Sequence, residues 1–328
     1  MEEKTIILRK ERKVILTYYR AKEEIAPAVL ILPGGGYTEC SVNEGRPVAA
    51  AFNRLGLHAF VLCYSVGKYF KWPYPLEDYE NAMAHIKAHA AEYLIDDRHV
   101  AVAGFFAGGH LAGAAATMAK TKPFAAILCY AALSRSTIEY TAPDAPDITD
   151  AVNSDTCPCF LASSRNDWIV PIDNTHRFVA ALEKNSIDYE SHIYGFSMHG
   201  FSIGKEVNAV PPDFCSRVGD WVEESASWLR DLIDESYISI RDGAAWQDAH
   251  AEFFSSRNSV GLIFSDEEAK RAFKKKNLKY YLLVEAAKLK VGPFVQNVSI
   301  RNVLTFLNAG REAYEEIDQS LCDIRIKR

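Results

Sequence analysis

His99-Val-Ala-Val-Ala-Gly104-Phe105-Phe106-Ala107-Gly108-Gly109-His110-Leu111-Ala112 decides the fold. A short β-branched run leads into a glycine-flanked turn, and an alanine-rich helix follows at once. The small residues allow a strand and a helix to pass close together at the turn. The same alternation continues on both sides. Lys13–Tyr18, Ala28–Leu32, His58–Tyr64, His99–Ala103, Phe124–Tyr130, Cys159–Ser163 and Tyr189–Tyr194 read as strands. Glu44–Leu55, Leu76–Tyr93, Ala107–Lys120, Asn174–Lys184 and Gly219–Leu232 read as helices. Strands and helices alternating at these lengths imply a mostly parallel central sheet with helices on both faces. The first strand is expected to enter antiparallel.

The chain has 328 residues, 48% hydrophobic and 24% charged, enough for a large core and against disorder. Its net charge of -6 gives no reason to expect a nucleic-acid partner. The segment Met1–Lys13 is charged and does not read as a signal peptide. No run reaches the roughly 18 apolar residues that suggest a membrane span. A cytoplasmic protein with reduced thiols and no membrane association is the expectation. The seven cysteines are irregularly spaced, and Cys157-Pro158-Cys159 has no partner pair at a metal-binding distance. No metal or cofactor is implied, and these thiols read as core residues.

Two domains are expected, residues 1–235 and a helical C-terminal module, 236–328. The module shows helical patterns near Ala244–Phe254, Asp266–Leu289 and Ile300–Asp318. It holds 15 Lys and Arg against 12 Asp and Glu, whereas the remainder is strongly acidic. The run Lys274-Lys275-Lys276 reads as a solvated helix face. Between Ser134 and Asp155 the chain is rich in Thr, Pro and Asp. It reads as a loop over the carboxyl edge of the sheet, where α/β folds build ligand sites.

The opening stretch is the setting of a nucleophile elbow, where Gly-x-Ser-x-Gly exposes a serine above the sheet. It resembles the acetyl-esterase and carbohydrate-esterase-like branch of the α/β-hydrolases, which commonly reads Gly-Phe-Ser-Ala-Gly-Gly-His-Leu-Ala. Only the serine position departs, and Phe106 stands there. The resemblance spans roughly residues 15–232 and implies the α/β-hydrolase fold. It also implies roles for three further segments in the family's order. Pro33-Gly34-Gly35-Gly36-Tyr37 looks like the oxyanion loop, where the amides of Gly35 and Gly36, with Tyr37 and Ala107, would face a developing negative charge. Glu44-Gly45 looks like a helix start of the family or a plain helical carboxylate. Asp167, in Phe160–Pro171, would be the triad acid, and His199, in Met198-His199-Gly200, the general base.

Several rivals are weaker in context. Asp147 and Asp150 do not follow a core strand. His110 belongs to the elbow helix and reads as structural, and His192 reads as a packed or edge residue of a strand. Gly200-Phe201-Ser202-Ile203-Gly204 is a literal Gly-x-Ser-x-Gly. However, it begins one residue after the candidate base and lacks the strand-to-helix setting, so Ser202 is not read as a nucleophile. Ser41, Ser134 and Ser197 lack the setting too.

Phe106 offers no lone pair for attack. Its side chain is also unfavourable at the positive φ that an elbow imposes, so either the elbow relaxes or the ring packs into the site. Three functions follow as alternatives. One is a degenerate esterase that binds a small-molecule ester, acyl ligand or partner. Another is an ester hydrolase in which His199 and Asp167 activate water. The third is a structural protein working through its C-terminal module. That module is open to three roles: covering the site, self-association into a homo-oligomer, or partner binding.

Overall fold

The computed structural model describes residues 3–22, 24–204, 215–234, 239 and 242–327. It divides into two compact units, Met1–Tyr237 and Ile238–Arg328.

The first unit is built on an eight-stranded sheet: β1 (Glu3–Arg9), β2 (Val14–Tyr19), β3 (Ala26–Leu32), β4 (His58–Cys63), β5 (Ile95–Phe105), β6 (Ala126–Cys129), β7 (Cys159–Ser164) and β8 (Tyr189–Tyr194). Their order is β1-β2-β4-β3-β5-β6-β7-β8. The β1–β2 and β2–β4 pairs are antiparallel, and every pair from β4–β3 to β7–β8 is parallel. This is the mostly parallel sheet that the alternating pattern implies, with the antiparallel entry in place. β1 was not legible in the charged amino terminus. Only one of its faces packs, so its polar residues stay exposed and its apolar ones are few.

The core lies on both sides of the sheet, and β3 shows why. Side chains alternate across a strand. Leu30 and Leu32 therefore join one apolar layer with Val102, Leu111 and Leu128. Val29 and Ile31 join the other with Phe52, Phe105 and Trp221. The helices of this unit are α1 (Arg46–Arg54), α2 (Tyr74–Ala88), α3 (Ala90–Tyr93), α4 (Phe106–Met118), α5 (Arg135–Ile138), α6 (Ile148–Ala151), α7 (Asp173–Lys184) and α8 (Trp221–Ile233). The segment read as one helix, Leu76–Tyr93, is interrupted at His89. The Thr/Pro/Asp-rich stretch after β6 carries the short α5 and α6. Asp147 caps α6 by accepting from the amides of Thr149 and Asp150, a structural task for this carboxylate.

The second unit holds α9 (Ala244–His250), α10 (Val260–Ser265), α11 (Glu267–Lys276), α12 (Leu278–Val291), α13 (Ile300–Phe306) and α14 (Arg311–Leu321). Phe254, Ile263, Phe273, Val284, Ile300, Leu304 and Ile317 belong to its core. Ser259, Asp266 and Ser299 cap α10, α11 and α13 through their side-chain oxygens. Asp266–Leu289 is not one helix. Asn277 is buried between α11 and α12 and donates to Ser320 Oγ at 2.9 Å, a bond across 43 positions that apolar periodicity does not reveal. Lys274, Lys275 and Lys276 are exposed in the last turn of α11, where the helix dipole favours cations. No helix among the described residues is long and apolar enough to cross a membrane.

Candidate active site

The elbow has not relaxed. Phe106 opens α4 with φ +48°. Close crossing of backbone enforces this turn. A Cβ at Gly104 would lie 2.2 Å from the carbonyl oxygen of Gly108, and one at Gly108 would lie 2.1 Å from that of Leu32. No side chain larger than hydrogen fits at either position, so β5 and α4 cross as closely as this turn requires. Left-handed backbone costs an ordinary residue about 1–2 kcal/mol, and Phe106 carries that cost while packing against both apolar layers.

Its half-buried ring goes into the site. It meets the His199 imidazole edge to face, with centroids 4.9 Å apart and planes at 86°. On its other side, ring carbon Cε1 would be 3.5 Å from a methyl group placed on Gly36. The ring therefore fills space between the glycine loop and the imidazole.

The loop after β7 and the loop after β8 bring Asp167 and His199 together. His199 Nδ1 lies 2.8 Å from Asp167 Oδ2. The other carboxylate oxygen accepts from the amides of Ile169 and Val170, each at 2.9 Å. Asp167 is only 5% exposed, so these donors replace the water that its charge would otherwise need. The bond to Nδ1 fixes the ring so that Nε2 is the nitrogen left for proton transfer. Asn166 ties the two loops together: its Oδ1 accepts from Ser197 N at 2.8 Å and from Ser164 Oγ at 2.9 Å.

Gly35, Gly36 and Tyr37 follow β3 and have φ values of 117°, 61° and 60°. The Tyr37 side chain points away from the site. It is buried, and its hydroxyl donates to His110 Nδ1 at 2.8 Å, while His110 Nε2 bonds the Pro146 carbonyl at 2.9 Å. Tyr37 thus belongs to the loop by its backbone only, which narrows the substrate-contact role expected for it. Burial pushes His110 down to about 4, so it is a neutral, fully bonded core residue. Ala107 follows Phe106 in the first turn of α4, where amides lack helical partners.

A buried network links these parts, and sequence reasoning did not find most of it. Glu44 Oε2 accepts from Gly34 N at 2.7 Å, and Glu44 Oε1 accepts from the Tyr130 hydroxyl at 2.6 Å. Tyr130 also accepts from Ser202 N at 3.1 Å and sets its ring 5.1 Å from that of His199. Burial raises the Glu44 carboxyl above the usual carboxylate range, and the bonds from Tyr130 and Gly34 oppose this. Glu44 was visible only as a helix-start carboxylate, and nothing in a single sequence ties it to Tyr130.

Ser202 is fully buried and its Oγ donates to the Asn43 carbonyl at 2.6 Å, so it stands in the framework and not in the elbow. His192 lies in β8, stacks on Phe160 at 5.0 Å and bonds Glu190, a packed edge residue. Among the described residues no group of three or more His, Cys, Asp or Glu could hold a metal ion. Cys157 and Cys159 are buried, and Cys159 donates to the Cys157 carbonyl.

The chain matches the BD-FAE family over residues 16–142. It is 28% identical over 210 residues to endo-1,4-beta-xylanase B of Butyrivibrio fibrisolvens, covering 54% of this chain and 33% of that one. It is 25% identical over 263 residues to the acetylxylan esterase of Xylanibacter ruminicola, covering 73% and 54%. The chain therefore spans a third to about half of these relatives' own length. The solved structure of MGS-M1, an alpha/beta hydrolase enzyme from a Medee basin deep-sea metagenome library, is 33% identical with a TM-score of 0.65. That match covers 71% of this chain and 98% of that one.

Proposed function

The chain belongs to the α/β-hydrolase family, and on that premise we propose that its first unit is an esterase-like protein without serine-nucleophile chemistry, a pseudoenzyme that binds a ligand at the former acyl site. One observation carries this reading: Phe106 occupies an intact elbow and turns its ring onto His199. A phenyl ring neither attacks a carbonyl nor gives His199 a proton to take. Ser202, the serine of the literal Gly-x-Ser-x-Gly, is committed to Asn43. The resemblance to an acetylxylan esterase makes a short acyl ester, on a carbohydrate, the ligand class to test first, by analogy.

A second reading rests on the His199–Asp167 contact at 2.8 Å, since such a pair can activate water without a covalent intermediate. One assay separates the two. Hydrolysis of acetyl esters and labelling by a fluorophosphonate are measured for the full chain and for Phe106→Ser. Loss of a triad nucleophile costs on the order of 10⁶ in kcat in a well-studied protease. Phe106→Ser should therefore gain both label and turnover by several orders of magnitude. Rapid hydrolysis with labelling in the unaltered chain would sink the pseudoenzyme reading. Hydrolysis without labelling, abolished by His199→Ala, would favour water activation.

A further inference from the structure

Three loops follow β6, β7 and β8 at the carboxyl edge of the sheet, and each carries exposed apolar side chains. Tyr140 stands in the first, Trp168 and Ile169 in the second, and Phe196 and Met198 in the third. Elsewhere among the described residues of the first unit, large exposed apolar side chains stand singly. Single ones are ordinary on a protein surface, whereas a concentration of them marks an interaction site. Tyr140 is 84% exposed and Trp168 77%. Neither side chain has a ring, cation or hydrogen-bond partner among the described residues.

A chain of contacts runs across the site from one of these residues to the other. Thr141, next to Tyr140, sets its methyl carbon 3.3 Å from where a Cβ on Gly36 would stand. Gly36 faces the Phe106 ring, which meets His199, and His199 bonds Asp167, the neighbour of Trp168. Asp167 Oδ1 closes a tight turn around Trp168 by accepting from Ile169 N and Val170 N. Buried Asn174 ties the first loop to the second. Its Oδ1 accepts from Ser134 N at 3.0 Å, and its Nδ2 donates to Thr137 Oγ1 at 2.9 Å and to the Pro171 carbonyl at 3.0 Å. The two aromatic residues are therefore carried on a fixed frame.

We propose that Tyr140 and Trp168 are stacking platforms for pyranose rings, and that they set the specificity of the site for a neutral oligosaccharide carrying the acyl group. This rests on the carbohydrate-ester reading of the site. A pyranose has hydroxyls around its equator and C–H bonds on its faces. Those faces are apolar and slightly positive, which suits the negative face of an aromatic ring. Tyr and Trp offer such faces with only two side-chain torsions to fix. The ligand is neutral because the first unit is strongly acidic, which repels an anionic glycan or lipid surface. Two platforms with the site between them call for several linked sugar rings.

Isothermal titration of xylohexaose into the full chain tests this. The probe carries no ester, so the outcome is independent of whether the chain hydrolyses one. Fluorophosphonate labelling of Phe106→Ser is in turn independent of the two rings. Saturable binding is expected. Trp168→Leu and Tyr140→Leu stay apolar but lose the aromatic face, and each should weaken binding by roughly three- to tenfold, the scale of one aromatic contact. Trp168→Tyr should keep most of the affinity. The proposal is overturned if the unaltered chain does not bind, if both leucine variants bind equally well, or if Trp168→Tyr loses as much as Trp168→Leu. It is also overturned if sedimentation shows self-association in place of sugar binding and Trp168→Leu abolishes it, which would assign the rings to a second copy of the chain.

Discussion

Tyr130 donates its hydroxyl hydrogen to Glu44 Oε1 across 2.6 Å, and the same carboxylate receives the Gly34 amide. One buried acid therefore couples the end of β6 to the glycine loop. Burial raises its proton affinity above the usual 4.5. The unfolded chain releases this proton near 4.5, while the folded chain retains it to higher pH. In that window the folded state binds more protons, so stability falls as pH rises through it. Glu44→Gln should remove this component. The stability difference between wild type and variant, from denaturant unfolding, should shift in favour of the variant as pH rises from 4.5. A difference independent of pH would contradict the assignment.

His110 has the opposite sign. Its folded value is about 4 against 6.5 unfolded, because it is buried. Between these values the unfolded state binds more protons, so the contribution is fully present above 6.5 and is lost as pH falls toward 4. His110→Gln should flatten the rise of unfolding free energy with pH over that interval. Chemical denaturation at a series of pH values measures the slope.

Position 106 should reverse the usual ranking of small residues. Alanine is normally preferred to glycine in a helix, but φ +48° penalises any Cβ. Phe106→Gly is expected to be more stable than Phe106→Ala by about 1 kcal/mol. Calorimetric melting of the two variants decides it. Equal midpoints would mean that the turn relaxes once the ring is gone.

Ser202 offers a control against pattern matching. In a Phe106→Ser background, Ser202→Ala should leave fluorophosphonate labelling in place. It should instead lower stability by about 1–3 kcal/mol, because the Asn43 carbonyl loses its buried donor. Loss of label in a variant that stays folded would move the nucleophile to Ser202.

The parts that were legible in the sequence are those set by short-range constraint. The Gly104–Gly109 crossing and the apolar runs of β3 and β5 specify strand, turn and helix within a few residues, and they gave the sheet and the elbow. The family resemblance of the segments holding Asp167 and His199 implied a pair, and the loops after β7 and β8 bring them to 2.8 Å. What stayed hidden depends on partners far away in the chain. Glu44 meets Tyr130 across 86 positions. Tyr37 turns inward because His110 awaits it, and Asn277 breaks a helix because Ser320 can accept its amide hydrogen. Edge strand β1 escaped because it has only one apolar face to show.

The glycine crossing beneath Phe106 has a consequence for how such a protein can change over time. The demands of folding fall on Gly104 and Gly108, where any side chain collides with backbone. The demand of chemistry falls on residue 106, which the crossing delivers to the same point above the sheet. On the proposed function, a substitution there would alter the chemistry without unfolding the chain, and Phe106→Ser would supply a reactive group without rebuilding the fold. The trait most easily lost in this architecture is thus also the one most easily regained.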